Sequence, residues 1–348
     1  MIKYTNEYWA DVEEVVSVIP QLSRLNGKSI FITGATGMIC SSVAEILFWL
    51  NKSKNNQIKI LLGGRNKDKM VKRFYPFKEG VDYHFISYEA STGFIGNEPL
   101  IDYVIDGASP ADPISFNTHP VETVMANIIG LRSLLNLARK NRGKRVLYIS
   151  SSEIYGKKES SNPYSEMDYG YVDILNPRAC YPSAKRASET LCAAYRKEYN
   201  VDYVIARPGH IYGPSITDSD SRASAQFTRK AAAREDIVLK SAGSQMRSYC
   251  YTLDCASAVL TILLNGTSGE AYNISNPDSI CSIRTIAEEF ANTSNGKVIF
   301  EVPGYEEKTG YNMMDNSSLN SEKLCRLGWY GCFDISQGVK KTLKYYTN

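Results

Sequence analysis

The chain has 348 residues, 43% hydrophobic and 22% charged, and its 40 basic and 37 acidic side chains leave a net charge of +3. That balance describes a globular protein of one large domain or two closely joined ones, and it excludes a binder of nucleic acid or other polyanions that works by bulk charge. No apolar run reaches the roughly 20 residues that span a bilayer, the polar N-terminus lacks a secretory pattern, and three histidines (His84, His119, His210) are too few for a histidine-based metal site.

A polar segment over 6–25 reads as a helical arm. Short runs rich in Val, Ile, Tyr and Phe follow at 29–33, 58–62, 83–87, 102–108, 145–150 and 203–207. Each is apolar on both faces, as strands of a parallel sheet covered on both sides are. Helix-length amphipathic stretches lie between them, near 38–51, 120–141 and 181–199. This alternation predicts an α/β fold of Rossmann type, a doubly wound parallel sheet. An α/β barrel is disfavoured because the alternation fades after residue 210. Helices near 222–234, 254–264, 283–292 and 335–346 then predict a smaller mixed α/β lobe, tied back to the sheet by strands near 205 and 272. The expected division is 1–205 for the arm and dinucleotide-binding domain, and 206–348 mainly for a substrate lobe. Eight cysteines are scattered without a Cys-x-x-Cys pair. A reduced, cytoplasmic compartment accounts for them most simply.

The first strand runs into Gly34-Ala35-Thr36-Gly37-Met38-Ile39-Cys40, which opens a helix. Glycine allows a tight turn and close approach of backbone to a pyrophosphate, and the helix N-terminus aims N–H groups at the anion. In this strand–turn–helix setting, Gly-x-x-Gly is a strong dinucleotide signal. Cys40 stands where a third glycine would let helix and strand pack closest, so a slight displacement is expected. The second strand ends Gly64-Arg65-Asn66 with no acid for ribose hydroxyls. Arg65 is therefore placed either on an NADP 2′-phosphate or on adenine and solvent.

Tyr181 and Lys185 stand four apart on one helix face. A free phenol has a pKa of about 10, and an ammonium beside it, with an oxidised nicotinamide, favours the phenolate. Such a tyrosine can take a proton from a sugar hydroxyl while hydride leaves the carbon. Among 24 tyrosines the spacing alone arises easily by chance. It gains weight from the strand ending Ser150-Ser151-Ser152-Glu153, because ligands bind at the C-terminal ends of such strands. Ser151 can donate to the substrate oxygen, and Glu153 offers a second acid or base.

The segments at 33–39, 106–113, 150–156, 176–195, 206–214, 219–227 and 243–254 together resemble the extended short-chain dehydrogenase/reductases, specifically the group of nucleotide-sugar epimerases, dehydratases and decarboxylases. The likeness covers most of 28–345. UDP-glucuronate decarboxylases are most similar, through Ala108-Ser109-Pro110, Pro177-Arg178-Ala179-Cys180-Tyr181 and Ser152-Glu153. The resemblance implies a catalytic set of Ser151, Ser152, Glu153, Tyr181 and Lys185. It implies NAD held by Gly34, Thr36, Gly37, Met38, Ile39, Arg65, Asn66, Ala108, Ser109, Asn127, Tyr181, Lys185 and Pro208, with NADP open because of Arg65. Pro110, Arg178, His210, Arg222 and Arg247 would meet a nucleotide-diphosphate sugar, a UDP-sugar being favoured. His210 stands where the family usually has asparagine. No arginine occurs in 311–319, where many relatives carry one, with Lys308 as a possible substitute. Ser87-Tyr88-Glu89 replaces the usual adenine-binding acid.

The implied chemistry oxidises the sugar at C4, acts on the 4-keto intermediate, and reduces it again. Decarboxylation ranks first, then 4,6-dehydration, then 4-epimerisation. An NADP-dependent keto-sugar reductase and a non-catalytic dinucleotide-binding regulator are the rival readings. The helices near 120–141 and 181–199 resemble a pair that forms a dimer interface in relatives, which implies a homodimer. Neither nucleic acid nor membrane is expected as a partner, and a role in polysaccharide biosynthesis is implied by the family.

Overall fold

The structure, a computed structural model, describes residues 2–94, 98–111, 113–217, 220–301 and 315–346. Its strands are β1 (Ser29–Thr33), β2 (Lys59–Gly64), β3 (His84–Glu89), β4 (Gly93–Phe94), β5 (Tyr103–Asp106), β6 (Arg145–Ile149), β7 (Tyr203–Pro208), β8 (His210–Tyr212), β9 (Ile237–Leu239), β10 (Met246–Tyr251), β11 (Ala271–Ile274), β12 (Ile280–Ser282), β13 (Val298–Phe300) and β14 (Asn316–Ser317). The helices used below are α1 (Asn6–Ser17), α2 (Met38–Lys54), α3 (Lys67–Arg73), α4 (Pro113–Thr118), α5 (Pro120–Asn141), α6 (Cys180–Tyr199), α7 (Ala223–Ala232), α8 (Thr252–Asn265) and α9 (Ile283–Ser294), with a C-terminal helix over Ile335–Tyr345.

Eight strands form one sheet in the order β11-β7-β6-β5-β1-β2-β3-β4. All its pairings are parallel except β3 with β4. This is the doubly wound α/β arrangement the apolar runs predict. β1 pairs with β2 on one side and β5 on the other. The winding therefore reverses between β1 and β5, and a crevice opens at their C-terminal ends. The inner strands are buried almost throughout. Ile30, Ile32, Leu62 and Ile105 join α1, α2 and α8 in one apolar layer, and Phe31, Val104, Val146 and Tyr148 join α5 and α6 in the other. The alternation follows from the two-residue repeat of a strand.

Local chemistry sets the helix ends. Asn66, Ser282 and Asp334 each accept a backbone N–H at a helix start, which satisfies an orphan donor. α2, α6 and α9 end on Asn55, Asn200 and Asn295 in the left-handed conformation, which asparagine tolerates better than most residues. β8 leaves the large sheet directly after β7 and pairs with β10 in a smaller sheet that also holds β12 and β14. β11 then returns to the large sheet. Among the described residues no helix is long and apolar enough to cross a membrane.

Candidate active site

The glycine turn after β1 and the turn after β5 meet at the crevice. Gly34 has φ +63°, and a Cβ placed on it would lie 2.5 Å from the Gly107 carbonyl oxygen. No other residue fits there without moving backbone. The Gly37 N–H donates to the Gly34 carbonyl at 2.8 Å, and Gly37 caps α2. Thr36 is half-buried in the turn, and Met38 and Ile39 form the first turn of the helix. A Cβ at Gly107 would lie 2.3 Å from Cys40 Sγ. The cysteine at the third glycine position is therefore accommodated by a glycine facing it. The thiol is buried, which pushes its pKa up to about 12.

Thr33 Oγ1 donates to Asp106 Oδ1 at 2.7 Å and accepts from the Gly107 and Ala108 N–H groups at 3.2 Å. Asn127 donates to Ser109 Oγ at 2.9 Å and to the Thr123 carbonyl at 2.7 Å, and its Oδ1 accepts from Tyr148 OH at 3.1 Å. Asn127 thus links Ser109, Thr123 and Tyr148 in one polar network. Pro110 follows Ser109, whose hydroxyl donates to the Pro110 carbonyl at 2.9 Å. Pro208 is buried at the end of β7. Asn66 caps α3, accepting from the Lys69 N–H at 2.8 Å. The Arg65 side chain is 78% exposed and lies 3.4 Å from Glu89 at the end of β3.

β6 delivers the serines, and α6 delivers the tyrosine and lysine. Ser151 accepts from the Glu153 N–H at 3.2 Å, starting a short turn in which Ser152 is buried. The Ser151 side chain acts on the Tyr181 phenol and lowers its pKa. Lys185 is buried and donates to the Ile149 carbonyl at 2.8 Å, with Nζ 5.6 Å from the Tyr181 ring centre. The ring stacks on Phe116 at 4.4 Å. Burial pushes the phenol well above its ordinary range and Glu153 adds to the rise, whereas Ser151 and the charges of Arg222 and Arg178 pull it down. Burial also brings Lys185 down to about 8.

Arg178 and Glu153 form a two-pronged ion pair at 3.2 and 3.3 Å, and the Arg178 guanidinium lies 4.7 Å from the Phe116 ring centre. Both side chains are about one quarter exposed. Arg222 precedes α7, pairs with Asp220 at 2.6 and 3.0 Å, and reaches Met38 Sδ at 3.7 Å, beside the glycine turn. Arg247 is buried on β10, where burial lowers its pKa. His210 stands in register with Tyr249 on β10. Its Nδ1 is buried without a hydrogen-bond partner. Burial, reinforced by Arg247 and Arg222, depresses its pKa to about 3. The crevice thus brings the glycine turn, Ser151, Tyr181 and Lys185 together, with Arg222 bridging to the smaller lobe. Lys308 and the 311–314 stretch lie outside the described residues.

Sequence reasoning missed Thr33, Asp106 and Phe116. For Asp106 a signal existed, an acid closing an otherwise apolar strand. Phe116 gave none, because its stacking depends on how α4 meets α6.

Residues 30–275 match the NAD dependent epimerase/dehydratase family. UDP-glucuronic acid decarboxylase 1 of Xenopus tropicalis is 29% identical over 333 residues, covering 93% of this chain and 73% of that protein. UDP-glucuronic acid decarboxylase 5 of Arabidopsis thaliana is 30% identical over 249 residues, 70% of each chain. The solved UDP-glucose 4-epimerase of Thermotoga maritima superposes with a TM-score of 0.75 at 21% identity, covering 91% of this chain and 98% of its own. A UDP-glucuronic acid 4-epimerase from Bacillus cereus gives 0.74 at 22%, with the same coverage. The matched span includes the glycine turn, Ser151, Tyr181 and Lys185, in agreement with the resemblance carried by the segments from 33 to 254: the chain belongs to the NAD dependent epimerase/dehydratase family.

Proposed function

We propose that the chain modifies a nucleotide-linked sugar through a 4-keto intermediate, most nearly as a UDP-glucuronate decarboxylase. The observation that carries this reading is the Tyr181–Ser151 pair standing over buried Lys185 at the strand ends. In this reading Tyr181 takes the proton of the sugar 4-hydroxyl, and Ser151 donates to the same oxygen. Bound NAD supplies the acceptor for hydride from C4 and its later return. A 4-keto group turns a C5 carboxylate into a β-keto acid, which loses carbon dioxide. Glu153, fixed by Arg178, lies one short turn from Ser151 and serves the proton at C5. Arg222 and Arg247 supply permanently charged donors to the diphosphate.

The chain's own turn fits a dinucleotide, because side chains are excluded at Gly34 and α2 begins there. NAD is favoured over NADP: Glu89 beside Arg65 would repel a 2′-phosphate. Gly34, Thr36, Gly37, Met38, Ile39, Ala108, Ser109, Asn127 and Pro208 form the proposed cofactor side. Pro110, Arg178, His210, Arg222 and Arg247 form the proposed sugar-nucleotide side. The proposed division into cofactor and substrate portions at residues 205 and 206 falls within β7, and β8, which follows it, leaves the large sheet. On α5, Val121, Met125 and Ile129 make an exposed apolar stripe, which supports a homodimer through α5 and α6. All eight cysteines are free thiols, which supports a reducing cytoplasmic location.

The test is proton NMR of the products from UDP-glucuronate. A UDP-pentose with release of carbon dioxide is expected. A 4-epimer with its carboxylate intact would replace decarboxylation by epimerisation. No conversion of UDP-glucuronate, UDP-glucose or UDP-galactose would overturn the reading.

A further inference from the structure

We propose that Asp106 is a positioning residue whose buried carboxylate is the counter-charge that keeps Lys185 an ammonium beneath Tyr181. The proposal rests on the roles given above to Tyr181 and Lys185. Asp106 ends β5 in register with Tyr148 on β6. Lys185 Nζ lies 4.6 Å from the Tyr148 ring centre and donates to the next carbonyl, that of Ile149. Val104, two residues before Asp106, packs in the layer of α5 and α6, so Asp106 faces the same side. Carboxylate and ammonium are therefore held at the same end of adjacent strands.

Four other groups act on Lys185, and none of them replaces Asp106. Glu189, one turn along α6, is already gripped at both oxygens by Arg207, at 2.6 and 3.0 Å. The Cys40 thiol, reaching in from α2, is pushed up to about 12 and stays neutral. The phenol of Tyr148 is raised by burial and is neutral too, and that of Tyr181, also raised, is the group Lys185 serves, not its counter-charge. On its own side Asp106 accepts from Thr33 Oγ1 and, at 3.4 Å, from the Ala108 N–H. The other ionisable groups it meets are the phenols of Tyr88 and Tyr148 and the thiols of Cys40 and Cys192, all raised by burial, and Lys185 is the cation that acts on it. Burial raises the carboxyl and lowers the lysine. Each charge thus favours the charged form of the other.

An ammonium persists below its pKa, so removing the carboxylate moves its loss to lower pH. Asp106→Asn keeps an oxygen for Thr33 and deletes the charge. In protein labelled with carbon-13 at lysine Cε, the Lys185 resonance, assigned with Lys185→Arg, reports its titration. Its midpoint is expected to fall by about one pH unit or more in Asp106→Asn. An unchanged midpoint overturns the proposal. The reciprocal measurement does not depend on that variant folding. Lys185→Met should raise the titration midpoint of the Asp106 carboxyl carbon, because coupling acts equally both ways. No rise overturns the proposal as well. Neither readout needs turnover, so failure of the sugar chemistry and failure of the charge pair are distinguishable. With substrate, Asp106→Asn should lose activity on the alkaline side first. A loss equal at every pH would reduce Asp106 to a structural residue.

Discussion

At the turn after β1, Thr33, Asp106, Ser109 and Asn127 satisfy one another and the backbone around them. In and beside the small sheet, His210 Nδ1, Ser221 Oγ, Gln245 Oε1 and Ser317 Oγ are buried without partners. The two walls of the crevice therefore differ in where their hydrogen bonds come from. A buried orphan costs about 1–3 kcal/mol, so the lobe gains from a ligand that supplies partners. The turn after β1 is set in advance by the chain itself, although Ser150 Oγ at the end of β6 and Ser183 Oγ on α6 are buried orphans too.

The largest effect is expected at the set wall. Gly34→Ala puts a Cβ 2.5 Å from a carbonyl oxygen at φ +63°. It should cost roughly 3 kcal/mol or more of stability and abolish NAD binding, read by thermal melts and calorimetry. Near-native NAD affinity would show that this wall can give. Across the crevice, Arg247→Met should weaken UDP binding about tenfold to a hundredfold, through a lost charged hydrogen bond worth ~1.5–3 kcal/mol. NAD binding should hold, and a parallel loss of both would erase the difference between the walls.

The smallest effect concerns His210. Its pKa is depressed to about 3 by burial and by Arg247 and Arg222, against about 6.5 when unfolded. Between these values the unfolded chain binds the extra proton. Stability from this group is therefore complete above about pH 6.5 and is lost as pH falls. His210→Asn should remove roughly 2 kcal/mol of the destabilisation seen between pH 7 and pH 5. Equal pH slopes in both proteins would place the histidine in contact with water.

The parallel strands were legible because burial on both faces leaves a run with no polar alternation, as in Ser29–Thr33 and Arg145–Ile149. Glycine spacing and the Tyr181–Lys185 interval exposed the glycine turn and the Tyr181–Lys185 pair, since both are local. Pairings between distant elements were not legible. The parallel match of β8 with β10 is one, the Glu153–Arg178 pair another, and the buried contact of Arg73 with Glu45, Tyr4 and Ser41 a third. Each depends on where the chain returns in space. The cysteine at position 40 illustrates the limit, because its compensation is Gly107, 67 residues on.

The measurement closest to the central claim follows deuterium through one turnover of UDP-glucuronate labelled at C4. If Tyr181 opens the reaction by taking the 4-hydroxyl proton as C4 gives up a hydride that is later returned, the UDP-pentose keeps its deuterium at C4, and Tyr181→Phe forms about 10²-fold to 10⁴-fold less product while still binding UDP. Label washed into water, or undiminished product from Tyr181→Phe, would contradict the account.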